Sequence, residues 1–338
     1  MPLRRLVTHA CRDGLVQALD PRCRFVHAPT PLVRIPRVAE RLGLDLWIKR
    51  DDVTGGAEGG CMLRKAEFLA HDALRQHADV LVTGGHVQSD HVRVTALVAA
   101  MLGLRCELAL WSNDPAGLLP RTGNAALVRL SGAHVRLLGP VVPSRRASAI
   151  DSLASDVTRR GLRPCAIPEG GASWVGTLGY VQACREIRRQ LNVGLAGGAR
   201  FDAIVVACAS GGCAAGLALG AAAFDIADEV VAVPVEGDVI SARCAVGRLI
   251  DEVSRAVPSA GRPVAWHVVG APAAEETDRN FARDMACLGL VLDPHTTGKA
   301  LRALANLVRE DGRWVGRRVL FVHTGGLPVS WGEDSVDE

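Results

Sequence analysis

Three features of the chain predict an α/β fold: two open, largely parallel twisted sheets flanked by helices. Some short runs are apolar almost throughout, as in Ala203-Ile204-Val205-Val206-Ala207, which suits strands covered on both faces. Glycine-bearing turns follow such runs, at Gly84-Gly85 and at Ser210-Gly211-Gly212. Segments of helical spacing come next, and the order of strand, turn and helix recurs in both halves of the chain. That recurrence predicts a ligand cleft at the carboxyl ends of the strands, between the two units.

The elements follow in order. Thr30-Pro31-Leu32 and Pro36 punctuate a turn before a short helix from Arg37 to Leu42. Leu44 to Lys49 reads as a strand that ends at the acidic pair Asp51-Asp52. Gly59-Gly60 allow close backbone approach, and the chain then runs into a helix with clear spacing over Leu63 to Arg75. Asp79 to Thr83 is a strand that stops at Gly84-Gly85, and His91 to Leu102 returns to helix. Further strands are expected at Arg105 to Leu110 and around Ala133 to Leu137. In the second half, Ala203 to Ala207 leads through the Ser210 turn into a small-residue helix over Ala214 to Ala223. Val230 to Pro234 and Arg318 to Val322 are buried strands, the latter ending in His323-Thr324-Gly325-Gly326-Leu327-Pro328.

Composition excludes several classes of function. With 338 residues, 49% hydrophobic and 22% charged, the chain has an ordinary globular mix and can bury a large core. A net charge of +3 without a basic, aromatic-interleaved stripe argues against nucleic acid as a partner. The apolar runs near 94–104 and 214–224 are too short and too small-residued for a membrane span, so no membrane association is expected. Met1 to Leu19 is broken by Arg4, Arg5, Arg12 and Asp13 and does not read as a secretory leader. Ten scattered cysteines without a Cys-x-x-Cys pair fit free thiols in a reducing cytoplasm and give no zinc motif.

Several ordered motifs carry a family resemblance. They are Thr30-Pro31-Leu32, Ile48-Lys49-Arg50-Asp51-Asp52, Gly59-Gly60-Cys61-Met62-Leu63-Arg64-Lys65 and Gln88-Ser89-Asp90-His91-Val92-Arg93. To these are added Leu178-Gly179-Tyr180, Asp293-Pro294 with Thr297-Gly298-Lys299-Ala300, and His323-Thr324-Gly325-Gly326. Together they resemble the D-cysteine desulfhydrase and 1-aminocyclopropane-1-carboxylate deaminase group of pyridoxal-phosphate enzymes, over roughly residues 25–330. The resemblance implies the tryptophan-synthase-β-like architecture, pyridoxal-phosphate fold type II. It implies a smaller domain over 55–170 set into a larger one from 1–54 and 171–338, with the active-site cleft between them, and a homodimer.

The resemblance also exposes departures. The family reads Gly-Gly-Asn-Lys-x-Arg-Lys where this chain has Cys61 and Met62, so a thioether, which cannot form an imine, stands at the lysine position. Lys49, Lys65 and Lys299 are the only lysines. Lys65 lies about 4.5 Å further along the helix and is turned by roughly 60°, and a solvated or ion-paired role is expected for it. Ser210-Gly211-Gly212 at a helix start is a natural anion cradle and resembles the family's phosphate loop, with Ala209 and Cys213 in place of glycine and threonine. The residue at Thr324 lies, by resemblance, near the pyridine nitrogen. Cofactor-binding candidates are therefore Ser210, Gly211, Gly212, Cys213 and Thr324.

Catalytic candidates are Ser89, Asp90, Cys61 and His295. In the family the serine handles substrate and an asparagine at position 90 contacts the cofactor's ring oxygen. Here Asp90 offers only acceptors, which repel a phenolate unless the carboxyl is protonated or paired. An ordinary helix N-cap is the bland role for Ser89 or Asp90. The family's tyrosines are missing: Tyr180 is the only tyrosine, and His295-Thr296 stand in the Asp-Pro-x-Tyr-Thr-Gly-Lys segment, so ordinary deamination of the cyclopropane amino acid is not expected. Cys61 with His86 or His91 would make a Cys–His pair, and those residues with Asp90 a chemically allowed metal site of no recognised spacing.

These readings leave three functions open. One is a diverged lyase-like or deaminase-like enzyme for a small amino acid or related carboxylate, working without the usual lysine–pyridoxal phosphate linkage. Another is a pyridoxal-phosphate-dependent lyase or deaminase whose lysine was substituted at position 62. The third is a non-catalytic small-molecule-binding or scaffolding homologue. The cofactor is correspondingly either none or noncovalent pyridoxal 5'-phosphate.

Overall fold

The structure is a computed structural model that describes residues 14–56, 59–112, 118–271 and 275–326. The expectations for Arg4, Arg5, Arg12 and Asp13, and for Leu327-Pro328, lie outside the described residues.

After helix over 14–19 come β1 (Leu32–Val33), α1 (Pro36–Leu42) and β2 (Asp45–Arg50). Pro36 sits in the first turn of α1, where its missing N–H costs nothing, and Gly43 closes the helix in the left-handed region. Next come α2 (Gly60–Arg75), β3 (Val80–His86), α3 (Asp90–Leu102), β4 (Arg105–Trp111) and α4 (Gly123–Leu130). The first half ends with β5 (His134–Leu138), α5 (Pro143–Arg159) and β6 (Pro164–Ala166). The second half holds α6 (Trp174–Asn192), β7 (Phe201–Cys208), α7 (Gly212–Phe224), β8 (Ala227–Pro234), α8 (Val239–Ala256) and β9 (Ala265–Val268). It closes with α9 (Glu275–Cys287), α10 (Lys299–Glu310) and β10 (Arg318–His323).

Two sheets result, as expected. One has six strands in the order β1-β2-β10-β7-β8-β9, the other four in the order β5-β4-β3-β6. Every pairing is parallel except that of β1 with β2. The inner strands are buried almost end to end, which is why β7 reads as one apolar run: helices cover both of its faces. One core cluster joins α6, α7 and α8 to β7, and another joins α1 and α10 to its opposite face.

One expectation fails in an informative way. The strand expected to stop at Gly84-Gly85 continues to His86, with Gly84 and Gly85 paired to Ala109 and Leu110. A Cβ on Gly84 would lie 2.8 Å from the Ala109 carbonyl oxygen, and one on Gly85 would lie 2.6 Å from Val92. These glycines therefore admit close neighbours inside the sheet rather than breaking it. Small residues do similar work between helices: a Cβ on Gly179 of α6 would stand 2.6 Å from the Arg64 carbonyl oxygen of α2, and one on Gly216 of α7 would stand 2.5 Å from that of Thr177. The three helices thus touch backbone to backbone, which fixes what α2 presents to the start of α7.

Candidate active site

Helix α2 starts at Gly60, earlier than its periodicity suggested, so Cys61 and Met62 occupy its first turn. Gly60 is in the left-handed region (φ +59), and a Cβ there would sit 2.5 Å from the Thr324 carbonyl oxygen. The Cys61 amide donates to that same carbonyl at 2.8 Å. The start of α2 is thereby stitched to the end of β10. Met62 lies on the boundary between a cleft at the strand ends and an apolar pocket formed with Leu69, Val94 and Val98.

The cleft encloses about 80 Å3, room for several water molecules at ~10–15 Å3 each on this measure. Its floor is the turn from β7 into α7, with Ser210, Gly211, Gly212 and Cys213, and Thr324 lies across from it. Gly211 takes φ +87, which lets the turn bend back so that α7 opens beside the cleft. First-turn amides, which have no partner within the helix, and the helix's positive end suit this turn to an anion.

Lys65 completes that cradle, contrary to the solvated or ion-paired role expected for it. It is 2% exposed and donates to the Gly170 carbonyl oxygen at 3.0 Å and to Ser210 Oγ at 3.4 Å. Its Nζ lies 3.2 Å from where a Cβ on Gly212 would stand. The tight packing of α6 against both α2 and α7 leaves this lysine inside, and no local sequence signal reports such packing.

Cys61 and Cys213, drawn from the first turns of α2 and α7, both line the cleft. The neighbouring Cys61 thiol and the Lys65 charge lower the Cys213 thiol to about 7 despite its burial. The Cys213 sulfur and burial push the Cys61 thiol well up. The expected Cys–His pair does not form, because both histidines are engaged elsewhere. His91 Nε2 contacts Thr83 Oγ1 at 2.8 Å, and Thr83 in turn donates to the Ile167 carbonyl oxygen at 2.7 Å. The Thr83 proton is therefore committed, and His91 is the Nε2–H donor. His86 Nδ1 accepts from the Gln88 amide at 3.2 Å. Among the described residues no cluster of three or more His, Cys, Asp or Glu side chains could hold a metal ion.

Asp90 also lines the cleft but is paired. It accepts from Arg93 at 2.9 Å and from Asn124 Nδ2 at 3.0 Å, which answers the repulsion its carboxylate would otherwise bring. Ser89 accepts the Val92 amide at 3.4 Å as the N-cap of α3. Thr296, next to His295, contributes to the cleft wall and donates to Asp293 Oδ2. The His295 amide donates to Asp293 Oδ1 at 3.2 Å. Burial pushes the Asp293 carboxyl up to about 6 against the opposing help of Thr296 and His295. Asp293, which abuts Gly326 of the cleft, was legible in sequence only as part of a motif and not as an acid.

Beneath the cleft lies a buried ionic network. Arg64 donates to Asp51 at 2.7 Å and to Glu186 at 3.0 Å, and Lys49 donates to Glu186 at 2.5 Å. The Tyr180 hydroxyl donates to Asp51 Oδ2 at 2.9 Å. The two cations hold the Glu186 carboxyl at about 2, although burial acts the other way. This network commits Lys49 and Tyr180 to structure. The Lys299 ammonium donates to the Val235 carbonyl oxygen at 3.5 Å.

Comparison with known proteins places this geometry. A solved structure described as an ACC deaminase homologue is 33% identical, covers 94% of this chain and 96% of its own, and superposes with a TM-score of 0.84. Maize serine racemase, at 18% identity, covers 96% of this chain and 94% of its own with a TM-score of 0.66. The processed form of threonine deaminase isoform 2 from Solanum lycopersicum, at 16% identity, covers 94% and 84% with a TM-score of 0.61. These last two share the fold. The sequence pattern of the pyridoxal-phosphate dependent enzymes matches residues 24–325, and with its fold type II architecture the chain belongs to that family.

Proposed function

We propose that the protein is a diverged lyase-like or deaminase-like enzyme for a small amino acid or related carboxylate, working without a cofactor bound covalently to lysine. The observation that carries this reading is the fate of the amines. Met62 stands in the first turn of α2, and the cleft's ammonium group, Lys65, is committed to Gly170 and Ser210. The residues fit a noncovalently held phosphate: Lys65, Ser210 and the amides at Gly211 and Gly212 would hold it, with Thr324 on the facing wall. Pyridoxal phosphate, when bound, supplies an electron sink for bonds at an amino acid's α-carbon. The chain's own share is to seat the anion with Lys65 and to hold a proton near neutrality on Asp293, behind Thr296. Asp90 lines the cleft, fixed in orientation by Arg93 and Asn124, while Ser89 lies outside the lining and caps α3.

Supporting observations extend to setting. The nine described cysteines are free thiols, which agrees with a reducing cytoplasm. No helix among the described residues is long and apolar enough to cross a membrane. We assign a homodimer by family resemblance, to be read by native mass spectrometry. The decisive experiment incubates the protein with pyridoxal phosphate, reduces it with borohydride and measures intact mass, beside a product screen over small amino acids and carboxylates. The expected result is turnover or saturable binding with no added pyridoxyl mass. Pyridoxylated Lys65, or no binding of any small molecule, overturns the reading.

A further inference from the structure

We propose that the protein carries a second small-molecule site, which takes a free α-amino acid with an apolar side chain. The site is a groove of about 290 Å3 between α9 and α10, bounded by the last turn of α1. It lies where these helices cover one face of the large sheet, and it shares no lining residue with the cleft. On α9, Thr277, Phe281 and Asp284 recur at i, i+4 and i+7; on α10, Arg302, Asn306 and Arg309 do the same. One face of each helix therefore lines the groove, and Met285 with Leu42 and Val308 adds to its apolar surface. The volume is close to the ~300 Å3 at which small-molecule pockets begin.

The charges around this apolar surface select the ligand. Arg302 is neutralised in place: it is buried, and its Nε donates to Asp278 Oδ1 at 2.5 Å, a bond that ties α10 to α9. Arg41, Asp284 and Arg309 are exposed. The Arg309 guanidinium donates to Asn306 Oδ1 on its own helix. The Asp284 and Arg41 side chains form no hydrogen bond or ion pair among the described residues. Cations and an anion thus rim one groove without meeting. Their complement is a molecule with a carboxylate for Arg41 and Arg309, an ammonium for Asp284, and an apolar body between. A bare anion such as phosphate fits less well, because α1 and α10 end here and their negative dipole ends oppose it. The same helix ends favour the ammonium. An α-amino acid with an aliphatic or aromatic side chain has all three features.

This site goes beyond the lyase-like reading, and its readout is the place of binding rather than turnover, so the two fail separately. The full-length protein is irradiated with photo-leucine, the diazirine analogue of L-leucine, then digested and mapped by mass. Adducts within residues 277–285 and 302–309, competed by excess L-leucine, are the expected result. Calorimetry then compares L-leucine with isocaproate and isoamylamine, which lack its ammonium and its carboxylate in turn. L-Leucine should bind at least about fivefold more tightly than either, the worth of one exposed ion pair. Asp284→Asn, a change at an exposed position, should weaken L-leucine by about fivefold and leave isocaproate and inorganic phosphate binding unchanged. Adducts confined to the cleft segments 61–65 and 207–213, or equal affinity for the three compounds, overturn the proposal. A groove label that falls as protein concentration rises gives the groove to a second copy of the chain, and overturns it too.

Discussion

Single residues set the chemistry of this cleft, and Lys65 is the first to test. It contributes a charged hydrogen bond to whatever anion sits at Ser210, an interaction worth about 1.5–3 kcal/mol. Lys65→Met should therefore weaken inorganic phosphate binding by about tenfold or more, measured by calorimetry, while the fold persists. Unchanged affinity would mean that the helix amides alone make the cradle. Asp293 permits a second test. Its folded value, about 6, lies above the usual 3.8, so the stability it contributes is present at low pH and lost as pH rises through 6. Asp293→Asn removes that loss. Its stability relative to wild type should improve between pH 4 and pH 8 by on the order of 2–3 kcal/mol, read from urea midpoints.

At the scale of elements, the packing of α2, α6 and α7 against one another positions the cleft. Gly179→Ala would put a methyl 2.6 Å from a backbone oxygen of α2 that has no rotamer to yield. The expected cost is about 1–3 kcal/mol together with weaker inorganic phosphate binding, because α2 carries Lys65. Glu186→Gln leaves Arg64 and Lys49 short of charge in a buried network, and a loss of about 3–5 kcal/mol is expected by denaturant titration. These contacts explain what the sequence could and could not disclose. Strands such as β7 announce themselves because two covered faces leave no polar alternation, and the Ser210 turn announces itself by its glycines. Gly84 and Gly85 misled because a glycine that admits a neighbour spells the same as one that turns the chain. Lys65 and Asp293 were out of reach for another reason. Lys65 owes its role to residues more than a hundred positions away, and Asp293 owes its raised value to burial, through packing that no local pattern encodes.

For the molecule as a whole, acid stability follows from buried groups whose values fall on folding, His91, His323 and Glu186 among them. His91 drops to about 3, through burial and the nearby Lys65 charge, and Glu186 to about 2. Both contribute stability that is present above their unfolded values, about 6.5 for histidine and 4.3 for glutamate. That stability is lost as pH falls through the folded values. A circular-dichroism titration should show a first weakening below pH 6.5 as His91 and His323 are asked to charge, and His91→Gln should shrink that phase to the share His323 carries. An unchanged profile would place the weakening elsewhere.

The place of β10 in the large sheet carries a consequence for biosynthesis. This strand lies between β2 and β7, so Arg318 pairs with Asp45 across nearly the whole length of the chain. A chain emerging from a ribosome can close the four-stranded sheet once residue 166 is out, but it must hold β2 and β7 apart, open-edged, until the last strand arrives. The nascent protein thus waits on β10, and β2 and β7 stay exposed to chaperones and to aggregation until that strand is made. A chain ending at residue 317 should keep protease-resistant density over 60–166 while the rest is digested, and its yield should depend on chaperone supply far more steeply than that of the full chain.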